Sequence, residues 1–273
     1  MKVVLFCGGQ GQRLLETDPT RRFAPKRVTD APKPLHPVGG RAVLWHLMSW
    51  YAAYGHRDFI LCVGFRGDAV RSWVSGLGEH RFAASSLMPG ADTWQFADGR
   101  IAGWRVTVLD SGLAAPVGER LKAAQPLVAG EDLFLANYAD GLSDVSLPDM
   151  VDTARRTRAV ATMMAVPPPS TLHAVRLRPD SDQVDVIAPL ADQRVLVNAG
   201  FFVLRQEVFT ALRDGEDLVD EPFRRIAEAS GLHAYPYYGF WRCMDTAKDR
   251  QALDELWQSG ARPWAIWERT AAA

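Results

Sequence analysis

The sequence predicts an α/β fold of Rossmann-like type, a mixed and mostly parallel sheet flanked by helices. Three observations carry this. Val3 to Cys7 is a continuous apolar run that stops at Gly8-Gly9, as a buried parallel strand stops at a turn. Apolar residues then recur at helical spacing between Val43 and Tyr54, at Leu44, Leu47, Met48 and Tyr51. Phe59 to Val63 is a second buried strand, and an amphipathic stretch from Asp68 to Val74 follows it. Strand, helix and strand in alternation imply right-handed crossovers on a parallel sheet.

The remaining elements follow in order. Between Gly8 and Pro37 no regular helix is expected, because Pro19, Pro25, Pro32, Pro34 and Pro37 interrupt it. A loop of that length in a compact domain is usually functional. Gly76 to Gly103 mixes Gly, Pro and polar residues and reads as an excursion from the sheet. Arg105 to Leu109 and Leu133 to Asn137 are strands, the second ending in Tyr138-Ala139-Asp140-Gly141. Strands are expected near Ala159 to Val166, His173 to Leu177 and Val195 to Leu204. Helices are expected near Glu207 to Arg213, Glu221 to Ala229 and Asp245 to Gln258. No linker or internal repeat divides the chain, so residues 1–273 read as a single domain.

Composition narrows the function. Lys plus Arg total 31 and Asp plus Glu 32, a net charge of -1, which argues against a nucleic-acid partner. Cys7, Cys62 and Cys243 are scattered and fit neither a disulfide framework nor a zinc site, so a reducing, cytoplasmic setting is expected. No apolar run reaches the length of about 18 residues that a membrane helix needs. The apolar part of the N-terminus is too short for a signal peptide.

The segment Gly8-Gly9-Gln10-Gly11-Gln12-Arg13 directly follows the first strand. Glycines let backbone N–H groups approach phosphate oxygens, and a following cation neutralises them. The spacing is neither a Walker A loop nor a dinucleotide fingerprint, and a tight strand-to-helix turn is the plainer alternative. Six basic residues lie between Arg13 and Lys33 (Arg13, Arg21, Arg22, Lys26, Arg27 and Lys33), opposed by Glu16, Asp18 and Asp30. This surplus suits a polyphosphate, although a solvated basic loop has the same composition.

Gly-Gly-x-Gly-x-Arg-Leu, then Pro-Lys-Pro-Leu, then Val-Gly-Gly-Arg-Ala-Val-Leu-Trp-His-Leu-Met resembles the opening of the sugar-phosphate nucleotidylyltransferases, nearest to the glucose-1-phosphate cytidylyltransferase branch. Stretches near Asn137 to Asp144, Asn198 to Leu204 and Gly239 to Thr246 extend the likeness in order along nearly the whole chain. The resemblance implies a nucleotide-diphospho-sugar transferase fold, with residues 1–145 mainly holding the nucleotide. Residues 146–273 would mainly hold the acceptor and supply the second metal ligand.

It also implies roles. A nucleoside triphosphate, preferably CTP, would pass its nucleotidyl group to a sugar 1-phosphate with release of pyrophosphate. Gly8, Gly9, Gln10, Gly11 and Gln12 would wrap the triphosphate, Arg13 would grip the leaving pyrophosphate, and Lys33 would contact the α-phosphate. Asp140 and Asp245 match the family aspartates that hold Mg²⁺. Ser111, Gly112, Gly118 and Arg120 match a run beside the nucleotide. Tyr138, Asn198 and Gly200 match the sugar side. Capping of a turn by Asp140 and of a helix by Asp245-Thr246 is the structural alternative for the carboxylates.

The chain departs from the pattern at several points. Its loop before Lys33 is long and rich in arginine. Ala139 stands in the usual Gly-Asp-Gly, Ser111 replaces Thr, and Glu119 replaces Gly. The Glu-Lys-Pro motif that would bind the acceptor is absent from Val186 to Arg194, which leaves Arg194 as a substitute cation. Two alternatives therefore stay open: a different phosphorylated acceptor, such as a modified sugar, heptose or non-sugar phosphate, or a non-catalytic nucleotide-binding homologue. Homo-oligomerisation is expected from the Gly76 to Gly103 excursion and nine tryptophans.

Overall fold

All four residues of Val3–Phe6 (β1) are buried, and a strand buried on both faces belongs in the middle of a sheet. The computed structural model, which describes residues 1–9, 31–84, 88–169 and 172–270, has it there. A 3₁₀ turn at Lys33–Leu35 comes next, then short strands Pro37–Val38 (β2) and Arg41–Ala42 (β3) and helix Val43–Ala53 (α1). Strand Asp58–Val63 (β4), helix Gly67–Ser75 (α2) and strands His80–Ala84 (β5), Ala91–Phe96 (β6) and Arg105–Asp110 (β7) follow. Helix Val117–Val128 (α3), strands Leu133–Tyr138 (β8) and Gly141–Ser143 (β9), helix Leu147–Thr157 (α4) and strand Ala161–Val166 (β10) complete the middle of the chain. The last third holds the hairpin His173–Leu177 (β11) and Val184–Pro189 (β12), strand Val197–Arg205 (β13), and helices Val208–Ala211 (α5) and Glu221–Glu228 (α6). It ends with strands Leu232–Pro236 (β14) and Trp241–Cys243 (β15) and helices Ala247–Gln258 (α7) and Ile266–Thr270 (α8).

Nine strands form one sheet in the order β14-β10-β13-β8-β1-β4-β7-β6-β5. β1 is parallel to β4 and β8, and β4 is parallel to β7. β13 runs against both β8 and β10, and β6 runs against β7 and β5. The sheet is therefore mixed and largely parallel, as expected. From β1 the chain builds outward on one side through β4 and β7, then returns to the other side at β8. The carboxyl ends of β1 and β8 flank this reversal, which is where open α/β sheets form their ligand crevice.

One sequence expectation is corrected. Gly76 to Gly103 is no excursion from the sheet, because β5 and β6 lie within it and extend the sheet by two antiparallel strands. Turn residues dominate the composition there, while the strand signal rests on cross-strand pairs such as the Thr93 and Thr107 hydroxyls at 2.9 Å. Helices α3 and α4 carried no sequence expectation. Their prolines misdirect: Pro148 sits in the first turn of α4, where its missing N–H costs nothing, and Pro126 stands inside α3.

Alternate side chains of β1 feed two cores. Val3 and Leu5 pack with Phe59, Leu61 and α1, while Val4 and Phe6 pack with Ile60, α3 and α6. Helix α1 is buried from Val43 to Tyr51. The sheet covers one side of it, and Trp257, Trp264 and Trp267 from the C-terminal segment pack around His46 on the other. Among the described residues, no helix is long and apolar enough to cross a membrane.

His46 is fully buried. Its Nε2 lies 2.8 Å from the Val38 carbonyl oxygen, and Trp264 Nε1–H donates to its Nδ1 at 3.4 Å. This network assigns the neutral ring with its proton on Nε2. Burial pulls its pKa from 6.5 down to about 4, against the Val38 hydrogen bond. Unfolded chains therefore take up a proton below about pH 6.5 that the folded protein refuses. Stability should be fully present above that pH and fall by about 3 kcal/mol as pH drops toward 4. Urea denaturation across this range should give a shallower pH slope for His46→Phe than for the native chain.

Candidate active site

The crevice at the carboxyl ends of β1 and β8 has a volume of about 740 Å³. Phe6, Cys7, Gly8 and Gly9 line it from β1, and Tyr138, Ala139, Asp140 and Gly141 line it from β8 and the turn into β9.

Its chemical centre is Lys33. Pro32 and Pro34 flank this residue in a 3₁₀ turn, closed by Leu35 N–H donating to the Pro32 carbonyl at 2.8 Å. The ammonium donates to Asp245 Oδ1 at 2.5 Å and forms a second ion pair with Asp140. All three side chains are largely shielded, at 15%, 21% and 30% exposure for Lys33, Asp140 and Asp245. Burial alone would depress the lysine pKa, but the two carboxylates outweigh it and raise it. The group is a fixed cation at neutral pH.

A short antiparallel ribbon brings the two aspartates together. β15 pairs with β9 in the register Cys243 to Gly141, and Met244 N–H donates to the Asp140 carbonyl at 2.9 Å. Each aspartate is thereby fixed at one end of the same ribbon. Thr246, not Asp245, caps α7: its hydroxyl accepts from Asp249 N–H, and Asp249 answers with a bond from Thr246 N–H, a full capping box. Asp245 is therefore not the cap of α7, and it lines the crevice. Neighbouring Cys243 is no nucleophile, since burial and then Asp245 and Asp140 push its thiol up to about 12.

Arg120, on α3, is the second cation of the crevice and is only 4% exposed. Its guanidinium donates to the Val63 carbonyl at 3.1 Å, Ser111 Oγ at 2.9 Å and the Gly8 carbonyl at 3.2 Å. These partners stand at the ends of β4, β7 and β1, so one side chain ties three strand ends together. A Cβ on Gly8 would lie 2.0 Å from Arg120 Nη1, which explains the glycine. All three acceptors are neutral, and Arg120 has no carboxylate partner among the described residues. Asp110 and Glu119 act on its charge only without a direct ion pair, so burial lowers its pKa and an anion binding beside it would be favoured.

The other expected residues distribute as follows. Ser111 supports Arg120 and donates to the Val63 carbonyl at 2.8 Å. Gly112 turns the chain with φ of +97°. Gly118 serves packing, since a Cβ there would meet the Glu216 carbonyl at 2.4 Å. Glu119 points out of the crevice and accepts from Gly215 N–H at 2.7 Å. Tyr138 and Asn198 line the crevice together. Gly200 has φ of +79° and leaves room for the Tyr138 ring, which a Cβ would meet at 2.4 Å. Arg194 is exposed on the segment before β13 and is not among the residues lining the crevice. Gln10, Gly11, Gln12 and Arg13 lie outside the described residues.

Sequence reasoning did not single out Asp217 or Trp241, which also line the crevice. Trp241 belongs to a stretch already matched by resemblance, and its indole N–H donates to the Ala199 carbonyl at 2.9 Å. Asp217 has no local signal; it accepts from Val117 N–H at 3.3 Å at the start of α3. Hard-oxygen donors fit a small divalent cation: two carboxylates already converge on one positive charge. Among the described residues no group of three or more ligands gathers, so phosphate oxygens and water would complete the shell.

No family model matches the chain. It is 31% identical over 269 residues to the glucose-1-phosphate cytidylyltransferase of Salmonella typhimurium, covering 98% of this chain and 100% of that protein. It is 30% identical over 269 residues to the Salmonella typhi glucose-1-phosphate cytidylyltransferase, with the same coverage. HddC from Yersinia pseudotuberculosis superposes with a TM-score of 0.62 at 15% identity, over 94% of this chain and 99% of that one. This last likeness speaks for the fold alone.

Arg120→Met should keep the side chain's length while removing its charge and its fork. Equilibrium titration of the folded variant with a nucleoside triphosphate should give affinity weaker by roughly tenfold or more. Unchanged affinity would leave Arg120 as a structural tie only.

Proposed function

The chain belongs to the sugar-phosphate nucleotidylyltransferases, as a nucleotidyltransferase of the glucose-1-phosphate cytidylyltransferase kind, and on that premise we propose that it transfers CMP from CTP to a sugar 1-phosphate. The convergence of Lys33, Asp140 and Asp245 is the observation that carries the reading. In the reaction an acceptor phosphate oxygen attacks the α-phosphorus in line, the α–β phosphoanhydride bond breaks, and pyrophosphate leaves. The preference for CTP rests on the two relatives and on the sequence resemblance.

Each described residue then has a task. Asp140 and Asp245 would hold Mg²⁺, which when bound neutralises phosphate charge at the reacting centre. Lys33 can turn its hydrogen bonds from the carboxylates to an α-phosphate oxygen, where a fixed cation stabilises the charge that develops. Gly8 and Gly9 offer backbone to the triphosphate, and the sequence resemblance assigns Gln10, Gly11 and Gln12 to the triphosphate and Arg13 to the leaving pyrophosphate. Arg120 adds a positive charge beside Gly8. Tyr138 and Asn198 face the acceptor with neutral hydrogen-bonding groups, since burial raises the Tyr138 phenol pKa well above its usual value. Arg194 stands outside the crevice lining, and its assignment to the acceptor phosphate rests on the missing Glu-Lys-Pro motif of the sequence alone. The three free thiols accord with a cytoplasmic setting.

Pyrophosphate release measured for four nucleoside triphosphates against several sugar 1-phosphates tests the reading. Turnover should be greatest with CTP; a different preferred triphosphate would overturn the base assignment. Nucleotide binding without turnover on any acceptor would make the chain a binding module. Asp245→Asn should abolish metal-dependent turnover while leaving the circular dichroism spectrum unchanged, and surviving turnover would remove Asp245 from the metal site. Lys33→Ala should reduce turnover by more than it weakens CTP binding; the opposite split would make Lys33 a binding residue.

A further inference from the structure

A second cavity, of about 600 Å³, opens at the other edge of the sheet, where β4 and β7 begin. Its size is that of a small-molecule site. Trp45 and Ser49 reach it from one face of α1, being four residues apart. Trp104 comes from the turn before β7 and Trp267 from α8, so three indoles from separate elements border a single trough; Trp45 and Trp104 are nearly buried at its floor, and Trp267 is the half-buried one. Arg57, just before β4, and Arg100, in the 3₁₀ turn Gly99–Ile101, complete the lining with exposed side chains.

The charges at this cavity do not cancel. Glu268 also borders it, but its carboxylate is engaged by Arg262 at 3.0 and 3.2 Å. Neither the Arg57 nor the Arg100 side chain makes a hydrogen bond or an ion pair among the described residues. The Ser49 hydroxyl likewise makes no hydrogen bond among them. Nucleotidyl transfer in the crevice, at the opposite edge of the sheet, uses none of these groups.

We propose that this cavity is a second ligand site for a flat aromatic carboxylate. Indole walls favour a planar ring over a flexible chain, because offset and edge-on ring contacts add to simple burial. Two guanidinium groups without a side-chain partner among the described residues match a carboxylate, which each can grip through parallel N–H donors. Ser49 adds a short-range donor or acceptor beside the ring. An aliphatic acid would satisfy only the arginines, and a neutral ring would satisfy only the indoles.

Calorimetric titration of the full chain with 2-naphthoate should give saturable one-to-one binding. Its neutral amide and cyclohexanecarboxylate should each bind roughly tenfold or more weakly, as should 2-naphthoate to the double variant Arg57→Ala/Arg100→Ala. Both arginine side chains are exposed, so that variant should keep the native melting temperature. Asp245→Asn, in the crevice, should leave 2-naphthoate binding unchanged. The proposal fails if 2-naphthoate does not saturate the protein, if the amide binds equally well, if the double variant binds as the native chain does, or if Asp245→Asn abolishes binding.

Discussion

Two carboxylates held side by side in a shielded crevice repel each other unless a positive charge stands between them. For unit charges about 5 Å apart at an effective dielectric near 20, that repulsion is on the order of 3 kcal/mol. Lys33 removes it by pairing with Asp140 and Asp245 at once. Much of the surrounding architecture serves this contact. The Pro-Lys-Pro turn fixes the lysine, the switch point of the sheet places Asp140, and the β9–β15 ribbon brings Asp245 beside it. A crevice that gathers two carboxylates around one lysine offers hard-oxygen donors of the kind a divalent cation takes.

Arg120 is the counterpart of Lys33 under the opposite condition. Lys33 is matched by two anions, whereas Arg120 is buried against two carbonyls and a hydroxyl. Charge-assisted hydrogen bonds of this kind offset the desolvation of a guanidinium only in part. The strand ends it ties gain a rigid geometry, and the crevice gains a second cation beside Lys33 to set against Asp140, Asp217 and Asp245. Gly8 fits this scheme because the guanidinium occupies the space of the missing side chain.

Much of the fold was legible in the sequence because buried strands write continuous apolar runs. β1, β4, β7 and β8 lie in the middle of the sheet, and each was read within a residue or so of its ends. The elements that escaped were those whose stability comes from neighbours. β5 and β6 sit at the sheet edge amid turn residues, and β9, β14 and β15 are too short or too exposed to write a pattern. The proline-bearing helices α3 and α4 were hidden by residues that usually interrupt helices.

By itself the sequence determined the residue types of the site and their chemistry: a glycine turn after the first strand, a lysine between prolines, and aspartates able to bind a hard cation. These are local properties, set by side-chain composition and by what each residue allows its own backbone to do. Only the tertiary structure decided which of them meet. Asp140 and Asp245 stand 105 residues apart in the chain, and no local pattern pairs them. Their proximity is a matter of strand register, Cys243 against Gly141, and register is fixed by hydrogen bonds between segments that are distant in sequence. The tie from Arg120 to Gly8, across 112 positions, and the indole trough at the far edge of the sheet have the same origin.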